Sequence, residues 1–159
     1  MSLAVISNST SRLCSLALLG ATILCAVGCG GPFDSKVSGK VTLDGVTLST
    51  GMVAFVPVSN GPAAFGRIDS SGNYVVETGR EVGLPSGEYR VAVGANEEPK
   101  ATKSADGGPV PTGKALTPVW YARKDTSGLK YTVTKGSNTI NLELNSKPPA
   151  GWKPPPGRK

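Results

Sequence analysis

Val37-Ser-Gly-Lys-Val-Thr-Leu-Asp-Gly45 is the stretch that decides the fold class. Val37, Gly39, Val41 and Leu43 fall on one side of an extended chain, and Ser38, Lys40 and Thr42 on the other. This is the period-two pattern of a strand with one dry face. Asp44-Gly45 then offers two residues that tolerate positive φ, as a two-residue hairpin turn requires. Working outward, the same pattern recurs. Met52 to Val58 and Ala64 to Ile68 are apolar runs, and Tyr74 with Val76 follows a second turn at 69–73. Tyr89, Val91 and Val93 alternate with polar or small neighbours, as do Tyr131 with Val133 and Ile140 with Leu142 and Leu144. Seven strands are predicted, and the 21 glycines and 13 prolines supply turns rather than helix interiors. After residue 28 no apolar stripe recurs at helical spacing, so the expectation is all-β: a seven-stranded antiparallel β-sandwich over residues 36–145. A domain of that size buries enough apolar surface to fold without metal or disulfide.

Upstream of this domain, residues 1–12 are polar with one cation, Arg12, and Leu13 to Val27 form an apolar stretch ending in small residues. The stretch falls short of the about 20 residues that a membrane-spanning helix needs, and Gly30, Gly31 and Pro32 follow it instead of a basic cluster. Residues 1–28 are therefore expected to be an N-terminal signal peptide. All three cysteines, Cys14, Cys25 and Cys29, lie in or beside that leader, so cleavage before Cys29 leaves a single sulfur and no internal disulfide. A lone thiol in an exported chain calls for a chemical use. Ala26-Val27-Gly28-Cys29 resembles a bacterial lipobox, with Ala26 where Leu is usual. The resemblance implies cleavage between Gly28 and Cys29, acylation of Cys29 and stable anchoring by several acyl chains. Gly30 stands where inner-membrane retention has Asp, which implies the outer membrane of a two-membrane cell. Residues 29–35, rich in Gly, Pro and Ser, are expected to form a flexible tether.

Several spaced fragments also resemble one family. They are Val37 to Gly45, Gly51-x-Val53-x-Phe55-x-Pro57, Gly72-x-Tyr74, Gly87-x-Tyr89-x-Val91 and Thr126-Ser-Gly-Leu129. In that order and spacing they resemble the carboxypeptidase regulatory-like domain over about residues 36–145. The resemblance implies a transthyretin-like Greek-key sandwich, and it implies an accessory, non-catalytic role.

Residues 95–127 form a connection too long for an ordinary loop. Its part from Glu97 to Lys114 is polar and Gly/Pro-rich and is expected to be mobile, whereas Pro118-Val119-Trp120-Tyr121 is apolar enough to dock. Residues 146–159 read as a disordered Pro/Lys-rich tail in extended polyproline form, adding nothing to the core. The formal charge of +6 becomes +5 without the leader, whose only charged side chain is Arg12. That excess lacks a basic face interleaved with aromatics, so nucleic acid is not expected as a partner; lipid headgroups or an acidic polysaccharide suit the tail better.

The absence of histidine removes Ser-His-Asp and Cys-His catalysis and the commonest zinc ligand. Ser127-Gly-Leu-Lys130 matches the S-x-x-K pattern, but it enters an alternating segment in which positions three apart point to opposite faces. Asp69-x-Ser71-Gly72-Asn73 lacks the further acids of a calcium loop and is read as a hairpin turn. Glu97-Glu98 is read as a solvated pair. No catalytic residue, metal site or cofactor is expected. Trp120 and Tyr121 are the candidate ligand contacts, because aromatic faces stack on sugars, with docking on the core as the favoured alternative. The expected function is therefore a non-catalytic, lipid-anchored cell-envelope module. It would be held by membrane lipid through acylated Cys29 and would meet an envelope protein or polysaccharide; the second reading is a carbohydrate-binding accessory using Trp120 and Tyr121.

Overall fold

Alternation becomes burial in the first strand. A computed structural model describes residues 32–98 and 113–153. In it β1, Ser35–Leu43, buries Val37 and Val41 completely and exposes Lys36, Ser38 and Lys40. Asp44 and Gly45 take φ of 49° and 82° and turn the chain into β2, Val46–Thr47, which pairs back on β1 as a hairpin. The leader at 1–28, Cys29 with the start of the tether, residues 99–112 and residues 154–159 lie outside the described residues.

The chain continues through β3, Met52–Pro57, and β4, Ala64–Arg67, an antiparallel pair, to β5, Asn73–Val75, which joins β1 instead. The turn at 69–73 is thus a corner between two sheets and not the expected hairpin. The Asp69 carboxylate accepts the backbone N–H groups of Ser71 and Asn73 at 2.8 and 2.9 Å, closing the loop on itself, so packing of the buried Tyr74 decides where the chain goes next. A small hairpin of β6, Glu77–Thr78, and β7, Glu81–Val82, precedes β8, Gly87–Gly94. After the long connection come β9, Leu129–Val133, β10, Gly136–Thr139, and β11, Leu142–Leu144.

Two sheets result. One has six strands in the order β7-β6-β4-β3-β8-β9; in the five-stranded other, β1 is central, with β2 and β5 on one side and β10 and β11 on the other. Each of the seven predicted strands has a counterpart, in β1, β3, β4, β5, β8, β9 and β11, although Val58, Ile68, Val76 and Ile140 fall just outside them; β2, β6, β7 and β10 were not announced by alternation. The expectation of purely antiparallel pairing fails at β1, which runs parallel to β10 and β11. Parallel neighbours need a long connection, and nearly the whole domain separates β1 from β10.

β10 and β11 form one path broken at Ile140 and Asn141. There the Tyr74 hydroxyl donates to the Ile140 carbonyl at 2.6 Å, and the Asn141 side chain accepts the Lys40 N–H at 3.1 Å. Gly39 faces this break, and a β-carbon on it would run into the Ile140 carbonyl. The core closes between the sheets, with the Phe55 ring 6.2 Å from Tyr74 of the opposite sheet and 6.1 Å from Tyr89. Burial pushes the Tyr74 phenol well above the ordinary tyrosine range, which keeps it a donor.

The fold begins earlier than the sequence suggested. Ser35, placed in the tether, is buried in β1, and Asp34 is tied in through Ser86, whose N–H and hydroxyl donate to its carboxylate at 2.8 and 2.9 Å. The Asp34 carbonyl also accepts the Gly136 N–H. Among the described residues no helix is long and apolar enough to cross a membrane.

Candidate functional site

Two arms of the long connection are stitched to each other before it reaches the aromatic segment. Glu97 donates its N–H to Lys114, Leu116 donates to Ala95, and the hydroxyl of buried Thr117 accepts the Ala95 N–H at 3.0 Å. The part around Glu97 and Lys114, expected to be mobile, is therefore paired at its stems. Pro118, with its φ of −57°, starts a 3₁₀ turn over Val119–Ala122, in which the Tyr121 N–H returns to the Pro118 carbonyl. Thr126 closes the segment from behind by donating its hydroxyl to the Trp120 carbonyl at 2.7 Å.

This turn buries Trp120 to 8% exposure and Tyr121 to 6%, the docking outcome. The Tyr121 hydroxyl accepts the Asn145 N–H at 3.1 Å, and Ser146 donates its own N–H to Asp44, which fixes the cluster at the end of the sandwich where β1 finishes. A third aromatic residue completes it. Trp152, in the tail that was expected to add nothing to the core, packs edge-on against Trp120 with ring centroids 5.1 Å apart; Tyr121 lies 5.9 Å from Trp120 on another side. A turn at Pro149 to Trp152 aims the indole back at the sandwich. Sequence reasoning missed this residue, and the available signal was that a lone tryptophan in a Pro/Lys tail has no local use.

Both indole N–H groups in this contact are buried without an acceptor. Leaving such a donor unpaired costs about 1 to 3 kcal/mol, whereas an edge-on aromatic pair gains about 0.5 to 1.5 kcal/mol beyond its buried area. The Trp120–Trp152 closure is thus held against an electrostatic penalty. The site's near neighbours in sequence are cationic: Arg123 and Lys124 follow the turn, and Lys147 and Lys153 bracket the tail. Asp125 is already engaged by Arg90 at 3.0 Å and by Lys124 at 3.8 Å.

The other chemistry-bearing positions serve the scaffold. Ser127 is buried and donates its hydroxyl to the Val91 carbonyl, while Lys130 lies exposed on the outer face beside Arg90, so the S-x-x-K pair is not brought together. Asp69 lines an open cleft of about 270 Å³ with Phe65, Arg67, Asn73, Tyr74, Val75 and Glu77, but its carboxylate is held by its own turn. Its carboxyl is kept below the usual carboxylate range chiefly by the Asn73 N–H. Glu97 and Glu98 are exposed. Among the described residues no group of three or more His, Cys, Asp or Glu could hold a metal ion. Gly28 and Cys29 lie outside the described residues. No protein-family model matches the chain, and no curated protein matches it either.

Proposed function

We propose that the chain is a lipid-anchored cell-envelope protein whose β-sandwich is a non-catalytic structural or interaction module. The observation that carries this reading is the way the chain enters the fold. Asp34 is clamped to Ser86 and Gly136 only five residues after Cys29, so an acylated Cys29 would hold the sandwich within at most about 18 Å of a bilayer. The end carrying Asp34, Ser86 and Lys135 would face the lipid. The Trp120 cluster, at the opposite end of a nine-residue β1, would stand roughly 26 Å further out. Gly30 after the acylated residue favours an outer-membrane location.

A module needs a surface, and the outer face of the six-stranded sheet offers one. Met52, Phe65 and Val82 are 52%, 47% and 43% exposed there; Glu77 lies between Val82 and Phe65 in register, Ala54 and Ala92 continue the row beyond Phe65, and Arg67 flanks Met52. We read the sandwich as a carboxypeptidase regulatory-like, Greek-key domain, because the fragments that resemble that family fall on β1 with its hairpin, on β3, at the corner before β5, and on β8 and β9. Mass spectrometry of the mature protein from its native host tests the proposal: it should show an acylated Cys29 at the N-terminus. A chain that retains Met1, or an unmodified Cys29, would overturn it.

A further inference from the structure

We infer that the Trp120–Trp152 contact is a closed carbohydrate subsite, in which Trp152 is a tail-borne lid over Trp120 and the ligand is a chain of carboxylated pyranose rings. The inference goes beyond the lipid anchor and does not depend on it.

Three observations converge on this contact. Trp120 and Trp152 carry the only buried side-chain polar atoms without a partner among the described residues, and both atoms sit in one aromatic pair. Folded chains satisfy such donors, so the one on Trp120 marks a place for an acceptor oxygen once Trp152 moves aside. Second, the lid is loosely held: among the described residues no hydrogen bond joins residues 147–153 to the sandwich, and the backbone N–H of Trp152 goes to the Pro149 carbonyl within the tail. Displacing Trp152 therefore costs packing and breaks no ladder. Third, Arg123, Lys124, Lys147 and Lys153 lie close in sequence to the two indoles, and the acids beside them are already engaged, Asp125 by Arg90 and Lys124, and Asp44 by the Ser146 N–H and Lys147.

The ligand class follows from what satisfies all three. A pyranose ring presents a C–H face that stacks on an indole and hydroxyl oxygens that accept N–H groups. A carboxylate on that ring would meet the cations. A purely aromatic ligand would leave the donors unpaired, and a small anion would leave the Trp120 face bare. Because the lid closes the site, the apparent affinity is reduced by the open fraction, and removing the lid should strengthen binding.

The chain has two tryptophans, both in this contact, so tryptophan emission, excited beyond the tyrosine absorption, reports on it alone. The full-length chain in a non-sugar detergent is titrated with oligogalacturonate, and with an uncharged cello-oligosaccharide of equal length. A saturable change with the first and a clearly weaker one with the second is expected. Trp120→Phe keeps an aromatic face but not the indole donor and should weaken binding roughly three- to tenfold. Trp152→Ala should tighten binding several-fold. The absence of a saturable response, equal binding of the uncharged oligomer, a Trp120→Phe variant that binds like the parent, or a Trp152→Ala variant that binds less well would each overturn the inference.

Discussion

At the scale of single residues, Gly39 and Asp34 do work that their neighbours in sequence do not reveal. Gly39 looked like one more inward position of an alternating strand, yet its missing side chain is what lets the Ile140 carbonyl and the Tyr74 ring approach β1. The obstruction is backbone, which cannot swing aside, so Gly39→Ala should destabilise at the upper end of the overpacking range, about 3 kcal/mol, read by urea denaturation. Asp34 holds the start of the domain through the backbone N–H and then the hydroxyl of Ser86, and these hold its carboxyl below the ordinary 3.8. A depressed carboxyl stabilises the fold fully above its unfolded pKa, and that contribution is lost as pH falls through the folded value. Denaturation midpoints should therefore be flat near neutrality and drop as pH goes from about 4 downward, and Asp34→Asn should make the drop shallower.

At the scale of elements, the connections are less legible than the strands. Val37 to Leu43 and Tyr89 to Val93 announce themselves because a buried face must alternate. β10 does not, since Gly136 to Thr139 is polar and held by Asn138. That side chain accepts the N–H and hydroxyl of Thr134 and donates to the Thr134, Gly136 and Lys36 carbonyls, which steers the chain from the six-stranded sheet to the edge of β1. Asn138→Ala should cost about 1 to 2 kcal/mol, since it strips local donors and acceptors at a crossing that no ladder replaces. Loss of amide-exchange protection confined to β10 and β11 would locate the effect; an unchanged stability would show that the β1 pairing alone steers the crossing. The corner at 69–73 illustrates the same gap, because a Gly-rich turn carries no information about which sheet its exit strand will join.

At the scale of the whole molecule, the sandwich is polar along β1, with the proposed anchor at one end and the paired tryptophans at the other. Lipids brominated along their acyl chains should therefore leave tryptophan emission of the membrane-bound protein unquenched, whereas a tryptophan placed at Val58, near the Asp34 end, should be quenched; strong quenching of the native pair would invert the orientation. The basic tail, which sequence reasoning directed at headgroups or acidic polysaccharide, leaves the fold at the end remote from that anchor. By itself the sequence determined the all-β class, the strands with a dry face, the Asp44-Gly45 hairpin and the lack of any histidine chemistry, because these depend on local periodicity, φ preference and residue inventory. Only the tertiary structure decided that β1 is central with parallel neighbours, that Ser127 is a scaffold donor, and that Trp152 closes on Trp120. Each of those is a contact between residues distant in sequence, and its geometry is set by how two sheets pack rather than by any pattern along the chain.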